Sequence, residues 1–329
     1  MLSVQFISGV SLSKTIFVSI PSIDDEELKY TVGYIFDNAK HPERVNVGIS
    51  LIAKKRKSVK ELKEILKKYP NVKAVTHKQK YNDLSTLGVG FNRKRAENLY
   101  NGEDYFLQVD SHSFFETAWD SRIIDLFEEA TREVGDNNIV LTCIPPIYGY
   151  SHEGNPLATG PTTRYPQYVR SELFVGSVPK WADIDIFEFT NKKFLPSPKA
   201  NSAMMFGNYK LAKDVGTKVG SMFYDEEFIY SVELFGRGMA LVFPNVEYFP
   251  VRHLDGDFTV PHHNRSFMLE YLDDSKQEEL HAKLQKHYWS YINNPLNAKK
   301  LEKYKKYAKI DYRYGFFSSQ PIFIPKDYR

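Results

Sequence analysis

The residues best suited to chemistry stand at positions 110–113, Asp110-Ser111-His112-Ser113, directly after the apolar run Tyr105-Phe-Leu-Gln-Val109. In an extended segment alternate residues point the same way, so Asp110 and His112 can face one point. An aspartate oxygen with an imidazole nitrogen is half of a site for Mn²⁺ or a similar divalent ion. Such an ion can clamp a diphosphate and stabilise it as a leaving group. The pattern D-x-H is short and common. On spacing alone the plainer reading is stronger, with Asp110 capping the next turn and His112 on the surface.

A second group of carboxylates follows Gly220. Tyr224-Asp225-Glu226-Glu227 opens a helical pattern through Phe228, Val232 and Phe235 that ends at Gly236 or Gly238. Acids at a helix start answer the positive end of its dipole, and they can also act as a base or hold hydroxyl groups. Met239 to Phe243 and Val246 to Val251 read as strands. His253, just past the second, is a candidate to complete a metal site with Asp110 and His112, and His262 and His263 compete with it.

The elements that must position these groups alternate. Thr15 to Ile20 is a β-branched run ended by Pro21, and Asp24 to Ala39 has helical spacing, its acids suiting the N-terminus. Val45 to Ile52, Val72 to Thr76, Tyr105 to Val109 and Asn138 to Cys143 read as strands. Val59 to Leu66, Arg93 to Tyr100 and Asp120 to Val134 read as helices. This rhythm predicts an open α/β sheet, mainly parallel, with helices on both faces. Ligands bind beyond the carboxyl ends of such strands, here after Ile20, Val109 and Cys143. Pro145-Pro146 and the Gly- and Pro-rich stretch Gly149 to Pro166 suggest a long loop over the site.

Composition narrows the class. A chain of 329 residues with 42% apolar and 26% charged residues is globular rather than disordered. No apolar run reaches the length of a membrane span, and the first residues lack a secretory pattern. The single cysteine, Cys143, excludes an intramolecular disulfide and a multi-cysteine zinc site, and it reads as a small buried hydrophobe. These features point to the cytoplasm, that of a host if the chain is viral. The net charge of +3 names no partner. Lys54 to Lys68 holds eight basic and two acidic residues, best read as a solvated helix face. No G-x-x-x-x-G-K-[ST] phosphate loop occurs, and Gly88-Val-Gly90 is a weak substitute, which counts against a nucleotidyltransferase.

As a set, these segments resemble a known family. The set comprises the strand to Ile20 with Pro21-Ser22-Ile23-Asp24 and Glu26; Tyr105 to His112 with Phe114-Phe115 and Ala118-Trp119-Asp120; Asn201-Ser202-Ala203; and Tyr224 to Glu227 with Leu234, Gly238, Pro244 and His253. Together they are similar to the GlcNAc-transferases that modify a hydroxyproline of the ubiquitin-ligase subunit Skp1, and to their bacterial and viral relatives. The Asp-x-His motif also resembles the metal motif of polypeptide N-acetylgalactosaminyltransferases. The likeness spans roughly residues 14 to 256.

The resemblance implies a GT-A fold with a Rossmann-like mixed sheet, in a glycosyltransferase domain at 1–256 followed by a helical extension at 257–329. It implies a UDP-sugar donor, Mn²⁺ or another divalent cation, and retention of anomeric configuration. By position, Asp110 and His112 look like ligands of the metal and diphosphate, with His253 as the third protein ligand. Ser19, Pro21 and Asp24 fall where the family holds the nucleoside, and Arg93 or Arg95 where it has an arginine near the diphosphate. Glu226 and Glu227, preceded by Asp225, match the family's paired glutamates near sugar and acceptor. Ser22 and Ile23 stand where the family has an aromatic and an arginine, and Asp225 where it has a glycine.

The acceptor implied is a hydroxyl on a macromolecule. The family points to a protein hydroxyl. The tail offers another reading, because His281, Lys283, Lys286, His287, Tyr288, Trp289 and Tyr291, then the run Lys299 to Arg313, mix basic groups with aromatics. Such a surface suits nucleic acid, as would a hydroxymethylated pyrimidine in viral DNA. The plainer reading is a helical cap whose aromatics pack inward. A different class also stands, a non-catalytic module binding a nucleotide-sugar or glycan; the joint presence of Asp110, His112, Glu226, Glu227 and His253 argues against it.

Overall fold

The run of β-branched residues after Thr15 forms an interior strand of the main sheet in a computed structural model, which describes residues 14–84, 89–150, 156–158, 168–175, 178–184, 192–208, 225–254, 272–308, 310–311 and 316–317. The first strands and helices are β1 (Ile16–Ile23), α1 (Leu28–Asp37), β2 (Val45–Ala53), α2 (Arg56–Lys68), β3 (Val72–Lys78), α3 (Val89–Glu97), β4 (Tyr105–Val109), β5 (Ser113–Phe115), α4 (Trp119–Val134) and β6 (Ile139–Thr142). Next come β7 (Ile147–Tyr150), β8 (Pro156–Ala158), β9 (Tyr168–Val175), β10 (Val178–Ile184), β11 (Phe194–Pro196), β12 (Met204–Asn208), α5 (Asp225–Gly236), β13 (Ala240–Pro244) and β14 (Val251–Leu254). The tail contains α6 (Asp274–Asn293), α7 (Ala298–Ala308) and the short pair β15 (Ile310–Asp311) and β16 (Phe316–Phe317).

Eight strands form one mixed sheet in the order β11-β13-β6-β12-β4-β1-β2-β3. The pairs β1/β2, β2/β3, β1/β4 and β13/β6 are parallel, while β12 runs antiparallel to both β4 and β6. The expected alternation of strands and helices is therefore present. The reversed strands β12 and β11 make the sheet mixed, as the family resemblance implied, and the other six run one way, so it is also mainly parallel, as the rhythm suggested. A second sheet, β5-β14-β7-β8, stands beyond β4.

One face of the main sheet is apolar. Ile16, Val18 and Ile20 of β1, Val47 and Ile49 of β2 and Leu107 of β4 are all at most 1% exposed. They join one core with Val32 and Ile35 of α1, Leu62 and Ile65 of α2, and Trp119, Ile123 and Phe127 of α4. On the other face α3 comes close to β2 at Gly48. A Cβ there would meet Phe17 Cζ at 2.3 Å and the Ala96 carbonyl oxygen at 3.1 Å. Glycine lets the helix approach.

Three expectations require correction. Pro21 does not end β1, which continues to Ile23. Its pairing with β4 stops at Ser19, so Pro21 has a paired neighbour on one side only, where a missing N–H is tolerated. Asp24, Asp25 and Glu26 do not serve the α1 dipole; the first turn holds no acid, because the helix starts later, at Leu28. Val246 to Val251 is not a strand: β14 begins at Val251, Tyr248 has a positive φ of 60°, and His253 lies within the strand.

The tail matches its plainer reading, a helical cap. Tyr288 and Tyr304 are fully buried, and their rings meet Phe228 of α5 at 5.4 and 5.7 Å. Tyr307 stacks on Phe235 at 4.4 Å. The helix α2 also matches its reading, with Leu62 and Ile65 buried and its lysines outward. Cys143 is buried, and burial pushes its thiol pKa well up. Most of Gly149 to Pro166, with Gly88, Tyr224, His262, His263, Tyr312 and Arg313, lies outside the described residues, as do the side chains of Asp225 and His281. Among the described residues no helix is long and apolar enough to cross a membrane.

Candidate functional site

Asp110 follows the last residue of β4, and the chain turns at once into β5. Ser113 Oγ donates to the Asp110 carbonyl at 2.9 Å. Thr31 of α1 holds the turn from the other side: its Oγ1 donates to the Ser111 carbonyl at 2.9 Å and accepts the Ser113 N–H at 3.0 Å. Antiparallel pairing of β14 with β5 sets His253 opposite Ser113. These constraints bring three groups together. His253 Nε2 lies 3.3 Å from Asp110 Oδ2 and 3.1 Å from His112 Nε2, and His112 Nε2 lies 3.9 Å from Asp110 Oδ2.

One ligand atom from each of the three falls within 4.8 Å of the others, the one such group of three or more among the described residues. The set is one oxygen and two imidazole nitrogens, which fits a divalent transition cation such as Mn²⁺. Burial raises the Asp110 pKa. The hydrogen bond from His253 and the charges of His112, Arg93 and His253 outweigh that, and the carboxyl ends well below its ordinary range. The donor group is thus anionic at neutral pH.

Arg93, on α3, connects this group to α5. Its side chain is 4% exposed; one Nη atom bonds Glu226 Oε1 and the other reaches Asp110 Oδ1 at 3.5 Å. Arg93 Nε and Glu226 Oε2 are buried with no hydrogen-bond partner. Of the two candidate arginines, then, Arg93 adjoins Asp110. Arg95 lies over the Phe91 ring at 5.4 Å, and burial lowers its pKa.

Glu227 is held more completely. Lys199 Nζ is 2.5 Å from its Oε2, and Oε1 accepts from both the N–H (2.9 Å) and the hydroxyl of Ser202. Burial raises the Glu227 pKa, but the Lys199 charge, with the Lys199 and Ser202 hydrogen bonds, outweighs it, so the carboxyl titrates below its usual value. The segment carrying Lys199 and Ser202 is itself fixed. Gln108 Nε2 donates to the Ser202 carbonyl at 2.8 Å, and the Asn201 N–H to Thr142 Oγ1 at 2.6 Å. Tyr304 and Tyr307 of α7 each donate a 2.6 Å hydrogen bond, to the Pro198 and Ser197 carbonyls. Helix α7 therefore braces the residues that hold Glu227.

The first-loop residues are distributed differently. Ser19 lies mid-strand, fully buried, its Oγ without a partner. Asp24 adopts φ 44°, a left-handed conformation that aspartate tolerates better than most residues. Its Oδ2 accepts the N–H groups of Lys54 and Lys55 at 2.9 and 3.1 Å, which ties the end of β1 to the start of α2. Sequence reasoning missed the neighbouring Asp25, whose Oδ2 lies 2.8 Å from His112 Nδ1 and accepts from Ser111 Oγ at 2.6 Å. It also missed Lys199. An acid beside a strand end and a lysine before Asn201-Ser202 were the available signals, and neither carries a spacing that names its partner.

The family model described as Glycosyltransferase (GlcNAc) matches residues 15–83 and 67–249 of the chain. No curated protein matches the sequence. Among solved structures, GalNAc-T7 with UDP, GalNAc and Mn²⁺ superposes with a TM-score of 0.54 at 14% identity; the match covers 89% of this chain and 55% of that one. This chain thus spans little more than half the length of that relative. A mannosyltransferase from Pyrobaculum calidifontis in complex with GDP-Man and Mn²⁺ has a TM-score of 0.47 at 9% identity, over 90% of this chain and 75% of that one. At these identities the likeness to GalNAc-T7 is one of fold, the GT-A arrangement.

Proposed function

The chain belongs to the Glycosyltransferase (GlcNAc) family, whose members move a sugar from a nucleotide-sugar donor, and from that premise we propose that it uses a UDP-sugar and a divalent cation, with Mn²⁺ the best fit, to glycosylate a hydroxyl of a macromolecular acceptor with retention of configuration. The observation that carries this reading is the convergence of Asp110, His112 and His253 beyond the end of β4. That is the edge where open α/β sheets bind ligands. Asp110, His112 and His253 would hold the ion, whose charge would offset that building on the diphosphate. Arg93 backs Asp110 and adds positive charge beside it. The nucleoside would lie toward the end of β1, near Pro21 and Asp24.

In the transfer the bond between the sugar C1 and the diphosphate oxygen breaks, and a bond from the acceptor oxygen to C1 forms. The acceptor proton passes to the departing phosphate oxygen. Glu227, an ion-paired carboxylate with both oxygens engaged, is suited to holding position rather than to attacking carbon. Glu226 presents one buried oxygen without a partner, an acceptor for a sugar or acceptor hydroxyl. A protein hydroxyl is favoured over DNA as the acceptor, because the tail aromatics that suited DNA pack against α5.

The test is UDP release from a panel of UDP-sugars, with Mn²⁺ or EDTA, alone, with peptides, and with hydroxymethylcytosine-containing DNA. Metal-dependent release from one donor, stimulated by peptide, is the expected result. Stimulation by DNA alone would reverse the acceptor assignment. Asp110→Ala should lower transfer about a thousandfold or more, since several kcal/mol of charge stabilisation go with the ion. A fully active, folded variant would sink the metal assignment.

A further inference from the structure

We propose that Asp25 is a positioning residue for the metal site: its carboxylate accepts a hydrogen bond from the Nδ1–H of His112 and so directs the Nε2 lone pair of that ring at Asp110 and His253. The inference rests on the reading of Asp110, His112 and His253 as ligands.

The hydrogen bonds around Asp25 leave little freedom. Oδ1 accepts the Glu27 N–H at 2.9 Å, and Oδ2 accepts the Ser111 hydroxyl at 2.6 Å and lies 2.8 Å from His112 Nδ1. An ionised carboxylate only accepts, so the ring nitrogen facing it must carry the hydrogen. Nε2 is then the ring atom available as a ligand, and it is the atom that lies 3.1 Å from His253 Nε2. A metal-binding histidine commonly gives its second N–H to a carboxylate, which sets tautomer, ring angle and basicity.

The neighbouring acids are committed elsewhere. Asp24 accepts from the backbone of Lys54 and Lys55, Glu26 Oε2 pairs with Lys57 Nζ at 3.0 Å, and Glu27 Oε2 accepts from the Tyr150 hydroxyl at 2.5 Å. The Asp25 carboxylate is 12% exposed and the His112 ring 17%, so water competes poorly for either end of the bond. On the opposite side of the site Arg93 reaches Oδ1 of Asp110, while Oδ2 is the oxygen facing the histidines. Two of the three ligand side chains are thus oriented by the protein alone, one by an acid and one by a base.

The experiment has two arms, both on the full chain. In the first, long-range ¹H–¹⁵N spectra of the metal-free protein at mildly alkaline pH, assigned with His112→Gln, report the ring. A proton on Nδ1 is expected. A ring protonated at Nε2 only, with bare Nδ1, would overturn the proposal. In the second arm Mn²⁺ is titrated calorimetrically into wild type, His253→Ala and Asp25→Asn, each checked for folding by circular dichroism. An amide at position 25 can donate to Nδ1 and so move the ring proton to Nε2. Asp25→Asn should therefore bind Mn²⁺ about 10- to 100-fold more weakly. Equal affinity of Asp25→Asn and wild type, with binding lost in His253→Ala, overturns the inference and leaves the metal reading standing. No Mn²⁺ binding by wild type overturns both. If Asp25→Asn fails to fold, the first arm decides.

Discussion

The two faces of the main sheet are built from alternate residues of the same strands and differ in make-up: one packs apolar side chains throughout, and the other combines an apolar cluster around Phe17, Phe106, Met205 and Leu241 with buried polar groups. Ile16, Val18 and Ile20 of β1 enter an apolar core with α1, α2 and α4. Phe17, Ser19 and Pro21 point the other way, with Gly48 and Ser50 of β2 and Gln108 of β4 beside them in register. There Ser19 Oγ, Ser50 Oγ and Gln108 Oε1 are buried without partners, as are Asn92 Oδ1 and Arg93 Nε of α3 and Oε2 of Glu226. A purely structural layer would not retain so many unmet polar atoms, because each costs about 1–3 kcal/mol. The first face does nothing but pack, whereas the second both packs and leads to the site, since Arg93 spans from Glu226 to Asp110.

The comparison can be tested by breaking each face in turn. Arg93→Met should have the largest effect on stability, about 3–5 kcal/mol, because it leaves the buried Glu226 carboxylate unpaired; urea melts would measure it, and transfer per folded molecule should fall as well. Leu107→Ala on the apolar face should cost about 2–5 kcal/mol and leave transfer per folded molecule unchanged. If Leu107→Ala depressed turnover as Arg93→Met does, the division of labour between the faces would fail. Gly48→Ala drives a Cβ into Phe17 and the α3 backbone, and overpacking of that kind costs about 1–3 kcal/mol. A midpoint unchanged from wild type would show that α3 yields at that point.

The smallest effect is one of pH. Glu227 has its pKa lowered in the folded state below the ordinary value of 4.5, burial being outweighed by Lys199 and Ser202. A depressed carboxyl contributes stability that is fully present above the unfolded pKa and is lost as pH falls through the folded one. Stability should therefore decline on the acid side below about pH 4.5, and Glu227→Gln should flatten part of that limb. An identical acid limb in wild type and Glu227→Gln would mean that the Lys199 pair contributes nothing.

Much of the fold was legible in sequence because its signals are local. Tyr105 to Val109 forms β4 with the predicted bounds; α4 starts one residue earlier than predicted, and β6 is one residue shorter at each end. Alternating and 3.6-residue apolar spacing report burial of one face within a single element. Errors arose where backbone geometry departs from that spacing. Pro21 continues a strand that has lost one neighbour, and the acids after it precede the helix they seemed to begin.

By itself, then, the sequence determined the alternation of strands and helices and the apolar side of each, and it allowed Asp110 and His112, two residues apart, to face one point. It also carried enough of a family pattern to point to a nucleotide-sugar site. Tertiary structure decided which distant groups complete that site. His253 joins His112 across 141 positions, Glu226 joins Arg93 across 133, and Asp25 joins His112 across 87. No periodicity encodes such pairs. They follow from the register of β14 on β5, the approach of α3 at Gly48, and the turn after β1, each a long-range contact whose partner is chosen only when the sheet closes.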